Sequence, residues 1–188
     1  MSAQRVFVAV EPPLAAREEL VHAISAARGQ WSGIRWETVS KLHVTLRFLG
    51  EISEEDTARV CEAVARAAVR HEPFAARLEG VGCYPSSRNP RVVWVGVTVG
   101  SEDLRLVQRT VEDELDADGF GRDDRPFTAH LTVGRIKGML RGPRIEGMAV
   151  PVIDFPVARL VLKQSTLAPG GSLYTDRGSY PLGKARKE

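Results

Sequence analysis

The chain has 188 residues, of which 43% are hydrophobic and 27% charged, with a net charge of +2. That length supports one good core, or two small lobes sharing one, and the composition is that of an ordinary soluble globular protein rather than a disordered or fibrous one. A charge of +2 does not by itself mark a nucleic-acid binder, and it does not repel an anionic substrate.

The first segment, RVFVAVE (5 to 11), reads as a strand, and Pro13 opens a helix carrying Leu14, Leu20, Val21 and Ile24 to about Arg28. A strand over 42 to 49 ends at Gly50. Ser53 with Asp56 then makes a capping-box start for a helix reaching about His71. Residues 74 to 84 and 91 to 99 read as two strands joined by the turn-rich PSSRNP. Ser101 caps a third helix with Leu104, Val107, Val111 and Leu115 on one face, closed by Gly119. A strand over 127 to 133 follows, then an irregular stretch to about Val150, a strand over 157 to 167, the turn APGGS and a last strand near Tyr174. Cys61 and Cys83 form no CxxC pair and read as reduced thiols of a cytosolic protein. The opening MSAQRVFVAVEPP is too short and too soon polar for a signal peptide, and no apolar run approaches spanning length. The expected location is therefore cytoplasmic.

One pattern occurs twice. In LHVTLRFLG (42 to 50), Leu42, Val44, Leu46 and Phe48 alternate as an apolar face, with His43, Thr45 and Arg47 on the other. In AHLTV (129 to 133), His130 and Thr132 repeat the relation, 87 residues further on. Nine threonines in 188 residues give each of the four histidines about a 5% chance of a threonine at i+2. Two such pairs would arise by chance in about 1–2% of comparable chains. On a strand, residues two apart point the same way. One H-x-T strand in each half suggests two α+β lobes related by a pseudo-twofold, each lending a strand to a shared cleft. The expected fold is α+β: two pseudo-symmetric lobes, antiparallel sheets lining a central cleft, helices packed outside. The whole chain, 1 to 188, reads as a single bilobal domain.

Either motif alone is better explained by a half-exposed strand. The pair, with an arginine close by, points to chemistry at phosphorus. One imidazole can take a proton from a nucleophile while the other gives one to a leaving oxygen, and an ordinary imidazole pKa near 6.5 suits both tasks. Two threonine hydroxyls can bond the non-bridging oxygens. The remaining histidines, His22 and His71, read as surface or cap residues. Weaker candidates have plain explanations. Arg122, Arg125, Arg135, Lys137, Arg141 and Arg144 could track an RNA backbone, but read first as a solvated loop. Phe48 and Tyr84 could stack on a base, although Phe48 reads as core. Gly170 and Gly171 are explained by a hairpin turn. No metal-ligating set is apparent.

The tetrads HVTL (43 to 46) and HLTV (130 to 133) resemble the signature of the two-histidine phosphoesterase superfamily. RVFVAVEPP, KLHVTLRFLGE, FTAHLTVGR and LVLKQSTLAPGGSLYT are further similar to the bacterial RNA 2′,3′-cyclic phosphodiesterases, also called 2′-5′ RNA ligase-like proteins. The likeness runs from residue 5 to about 180. It implies that His43 is the proton donor to the leaving group and His130 the proton acceptor from water. It implies Thr45 and Thr132 as phosphate ligands, and it aligns Arg135 with the arginine that often follows the second tetrad. Strict alternation would put Arg135 opposite His130, unless Gly134 permits a bulge that turns it back. The implied activity is hydrolysis of an RNA 2′,3′-cyclic phosphate to a 2′-phosphate by a monomer, with no metal, no cofactor and no membrane partner. Two readings stay open beside it: 2′-5′ RNA ligation by the same site, and a non-catalytic module that binds RNA or nucleotide phosphate.

Overall fold

A computed structural model describes residues 4–169 and 171–183. In chain order the elements are β1 (Gln4–Val10), α1 (Leu14–Ala27), β2 (Ser32–Trp36), β3 (Val44–Ile52), α2 (Glu54–Ala68), β4 (Phe74–Tyr84), β5 (Val92–Val97), α3 (Ser101–Ala117), β6 (His130–Arg141), β7 (Ile153–Val157), β8 (Arg159–Ala168) and β9 (Gly171–Pro181). The strands form one nine-stranded sheet in the order β7-β4-β5-β6-β3-β1-β8-β9, with β2 added alongside β6. Every pairing is antiparallel.

The two expected sheets are thus halves of one. β3, β1, β8 and β9 make one half and β6, β5, β4 and β7 the other, joined where Val44 pairs with Leu131. Each half repeats a strand–helix–strand unit, β1–α1–β3 and β5–α3–β6, in which the H-x-T strand pairs antiparallel with the strand that opens the unit. The core lies between the sheet and the helices. Val6, Val8, Val44, Leu131, Val93 and Val95 from the strands meet Leu20, Val60, Val64, Leu104, Val111 and Leu115 from the helices, all fully buried. Burying a side chain of this size stabilises by about 1.5–3 kcal/mol, so the spacing of these residues suffices to hold each helix down.

Local signals are honoured with small shifts. Ser53 caps α2, its Oγ accepting the Asp56 amide at 3.0 Å. The N-cap of α3 is Gly100 rather than Ser101, because the backbone there is left-handed (φ 74°) and an added Cβ would lie 2.5 Å from the Ala75 carbonyl oxygen. Ser101 instead donates its hydroxyl to the Thr98 carbonyl. Leu14, expected on the apolar face of α1, is exposed.

Three features depart from the expected order of elements. β2 is an additional strand: SGIRW is short and shows no clear alternation, and it forms by pairing with β6. The stretch after Val133 is no irregular loop, since β6 continues to Arg141. β7 is a second addition, and its five residues include Pro156, which is tolerated because this strand lies at the sheet edge. Gly170, part of the anticipated hairpin turn, lies outside the described residues.

Candidate active site

Val44 and Leu131 send their side chains into the core. Their neighbours along each strand therefore point to the opposite face. Antiparallel register about that pair brings His43 toward Thr132 and Thr45 toward His130, all four side chains half-buried on one concave surface. Regular pairing sets such diagonal neighbours about 7–8 Å apart, which leaves room for one phosphate between the imidazoles.

Both rings are held the same way. The Nδ1 of His43 bonds the Lys41 carbonyl at 2.7 Å, and the Nδ1 of His130 bonds the Thr128 carbonyl at 2.7 Å. A carbonyl only accepts, so Nδ1 carries the hydrogen in each case. Nε2, on the other edge of the ring, is then the atom that can hold or release a proton.

Aromatic rings surround each histidine. His43 lies 4.8 Å from Phe7 and 5.3 Å from Tyr174 between ring centroids; His130 lies 5.2 Å from Tyr84 and 6.1 Å from Trp94. Trp94 spreads over Gly82, where a Cβ would come within 2.2 Å of the indole. Burial drives the His43 pKa down to about 4. The bond to the Lys41 carbonyl opposes that shift, and the charges of Lys163, Arg135 and His130 add to it. Lys163 is itself buried, paired with Glu11 at 2.8 Å and with Asp176.

Bulges in the two H-x-T strands decide where the side chains beyond each threonine point. Thr45 pairs with Ala9 and Arg47 with Val8, so Leu46 is an extra residue; Thr132 pairs with Trp94 and Gly134 with Val93, so Val133 is its counterpart. A bulge resets the alternation. Arg135, opposite Val92, therefore lies on the same face as Thr132, and its Nε donates to Glu37 at 3.3 Å. On β3 the same device moves two residues from their expected faces. Arg47 does not stand in a row with His43 and Thr45. It turns under the sheet, 7% exposed, and its Nη1 donates to both carboxylate oxygens of Glu112 at 3.1 and 2.8 Å. Phe48, expected in the core, is 51% exposed on the cleft face beside Phe7.

The basic stretch divides. Arg122 pairs with Asp113 and Asp116, and Arg125 with Asp123, as in an ordinary solvated loop. His22 lies on α1, and His71 bonds the Thr110 hydroxyl at 2.8 Å, away from the cleft. Phe7, Trp94, Tyr174, Lys163 and Glu37 carry no signal of a site along the chain. Each is ordinary strand or turn text, and only the pairing brings it to a histidine. Two surface cavities, of about 220 and 610 Å³, touch neither His43 nor His130. The site is an open groove. Two tethered imidazoles, two hydroxyls and a guanidinium on one groove can bind a phosphodiester and move protons on either side of it.

Comparison with known proteins bears on the family and the fold. The family described as LigT-like phosphoesterase matches residues 10–94. An Archaeoglobus fulgidus protein named RNA 2′,3′-cyclic phosphodiesterase is 38% identical over 92% of this chain and 97% of its own. One of the same name from Methanothermobacter thermautotrophicus is 33% identical over 95% and 98%. Among solved structures, a Thermus thermophilus protein superposes with a TM-score of 0.80 at 29% identity, covering 96% of this chain and 100% of that one. E. coli LigT complexed with 3′-AMP gives 0.78 at 25% identity, covering 97% and 99%. The chain belongs to the LigT-like phosphoesterase family.

Proposed function

We propose that the chain hydrolyses RNA 2′,3′-cyclic phosphate ends to 2′-phosphomonoesters by two-histidine acid-base catalysis. The observation that carries this reading is the matched tether of His43 and His130, each Nδ1 bound to a carbonyl two residues back, on adjacent strands of one groove. The names of the relatives at 38% and 33% identity support the substrate class. So does the 3′-AMP bound by E. coli LigT, a nucleotide with a phosphate on the ribose.

In this mechanism water attacks phosphorus and the bond to O3′ breaks. His130 Nε2 takes the proton of the water, and His43 Nε2 gives a proton to the departing O3′. The hydroxyls of Thr45 and Thr132 and the guanidinium of Arg135 hold the non-bridging oxygens. His43 is mostly unprotonated in the free protein at neutral pH, because burial lowers its pKa to about 4. The incoming phosphate supplies the opposite charge that draws a proton onto it. The acid is thus loaded by the substrate.

The chemistry asks for no metal. Among the described residues no three histidine, cysteine or acidic side chains are gathered to hold one. The protein is proposed to act as a monomer of one bilobal domain in the cytoplasm; no helix among the described residues is long and apolar enough to cross a membrane. The test is turnover of an oligonucleotide ending in a 2′,3′-cyclic phosphate in excess EDTA, with the product identified by phosphorus NMR. A terminal 2′-phosphate with a free 3′-hydroxyl is expected. A 3′-phosphate would exchange the donor and acceptor or reverse the substrate, and retention of the oligonucleotide without turnover would leave a binding module. Activity lost to the chelator and restored by a divalent ion would overturn the metal-free mechanism.

A further inference from the structure

Arg122 and Arg125 are neutralised by acids of their own neighbourhood, and Arg135 donates to Glu37 in the cleft. Lys137, Arg141 and Arg144 have no acidic partner among the described residues, and neither has Arg88 on the turn between β4 and β5. The Ile136 amide bonds the Arg91 carbonyl at 2.9 Å, so β6 runs on beside that turn and gathers these cations at one end of the sheet. In a chain whose net charge is only +2, this is a local excess.

The surface here is concave. Arg88 and Pro90 on one side, with Met139, Pro143 and Arg144 on the other, line the cavity of about 610 Å³. That volume holds a group the size of a nucleotide. Met139 is 76% exposed and offers an apolar surface between the two guanidinium groups. The one acid in the lining, Glu146, accepts from Cys83 Sγ at 3.6 Å rather than from either arginine.

Ile136 is buried between Arg135 and Lys137, so both cations point to the cleft side of β6. From Arg135 to Met139 is at most about 14 Å of chain. Salt at physiological strength screens exposed charges beyond about 8 Å. A mononucleotide in the groove therefore gains little from Arg88 and Arg144. A string of phosphates that leaves the groove past Arg135 and Lys137 reaches them.

We propose that Arg88 and Arg144, approached along Lys137, form a second binding site for the phosphodiester backbone of a single-stranded RNA whose cyclic-phosphate end lies between the histidines. The inference rests on the proposed function for what occupies the groove. It makes the substrate an RNA chain rather than a free nucleoside cyclic phosphate. Cations with apolar surface between them suit a flexible strand that carries phosphates and base faces together. A bilayer is flat and does not enter a cavity.

The experiment compares a nucleoside 2′,3′-cyclic phosphate with an RNA of about six nucleotides ending in the same group, a length within the site sizes of single-strand binders. The proteins are wild type, the double variant Arg88→Gln/Arg144→Gln and the charge-keeping Arg88→Lys/Arg144→Lys. In the glutamine variant KM for the RNA should rise roughly five- to thirtyfold, as for the loss of two exposed charge pairs. KM for the mononucleotide should not change, and the lysine variant should keep most of the affinity for RNA. A second measurement needs no turnover: fluorescence anisotropy of a labelled RNA bearing a terminal 2′-phosphate, over a range of salt. Each phosphate contact on a single strand contributes about 0.7 to the slope of log affinity against log salt, so the glutamine variant should lose about 1.4 of it. Equal losses on both substrates, or an unchanged slope, would overturn the second site. Phosphatidylserine vesicles that bind wild type and not the glutamine variant, with RNA affinity unaltered, would overturn the assignment to RNA. RNA binding that weakens in the variant, without hydrolysis by wild type, would keep the second site and remove the catalytic reading.

Discussion

Val44 stands opposite Leu131 where the two halves of the sheet meet, and both side chains are fully buried. The pair fixes the register of β3 against β6, and with it the placement of His43, Thr45, His130 and Thr132 on the other face. A slip of one residue would turn one H-x-T motif into the core. The face that carries both H-x-T motifs is therefore specified by two apolar residues buried on the other side of the sheet.

The two histidines should differ in what rescues their loss. A ribose oxygen leaves poorly without a proton, whereas nitrophenolate departs unaided. On RNA, His43→Ala and His130→Ala should each lower kcat by about a hundred- to ten-thousandfold. On a nitrophenyl phosphodiester His43→Ala should regain much of that loss, while His130→Ala stays impaired because water still needs a base. Regain by His130→Ala instead would exchange the two assignments.

Protonation of His43 couples to stability. Its pKa is about 4 in the folded protein against 6.5 in the unfolded chain, so between those values the unfolded chain binds the extra proton. Stability is full above about pH 6.5 and is lost as pH falls toward 4, by at most about 3 kcal/mol and by less because the ring is partly open to solvent. Denaturant midpoints measured from pH 7 to 4 should show this slope, and His43→Phe should flatten it. Proton NMR of the His43 ring should place its midpoint near 4 in the free protein and higher with inorganic phosphate bound. An unmoved midpoint would remove the substrate-loaded acid.

Arg135 reaches the cleft only because Gly134 follows a bulge. A Cβ on Gly134 would lie 2.7 Å from Ile34 Cγ2 and 3.1 Å from the Trp36 ring. Gly134→Ala should thus push β2 away, at about 1–3 kcal/mol of stability, and weaken substrate binding along with Arg135→Ala. The latter alone should raise KM by roughly ten- to a hundredfold, the scale of a hydrogen bond to a charged group, with unchanged unfolding. A Gly134→Ala protein as stable as wild type would contradict the packing.

The Arg47–Glu112 pair is buried on both sides, and Arg47 Nη2 also donates to the Gly121 carbonyl at 3.2 Å. It fastens α3 and the chain that leads to β6. Arg47→Met should cost about 3–5 kcal/mol by stranding the carboxylate, and adding Glu112→Leu should return most of it. Chemical denaturation of the single and double variants measures this. Additive losses would show that the pair acts through packing rather than charge.

Much of this protein is legible along the chain because its signals are short-range. The 3.6-residue spacing of Leu104, Val107, Val111 and Leu115 makes α3 whatever surrounds it, and Ser53 with Asp56 starts α2 from within its own first turn. The repeated H-x-T marks the two strands that matter, since alternation alone puts each histidine beside its threonine. Beyond Thr45 and Thr132 the alternation fails, because a bulge is a property of two strands and neither announces it alone. Hence Phe48 and Arg47 exchange faces, and Arg135 turns back to the cleft. β2 and β7 are too short to declare themselves and exist by pairing with β6 and β4. The rings of Phe7, Trp94 and Tyr174, and the buried charge of Lys163, come from strands far apart in the chain. The chain itself determines which strands carry the histidines; only the register between strands decides what surrounds them, since hydrogen-bonded pairing at long range has no counterpart in local spacing.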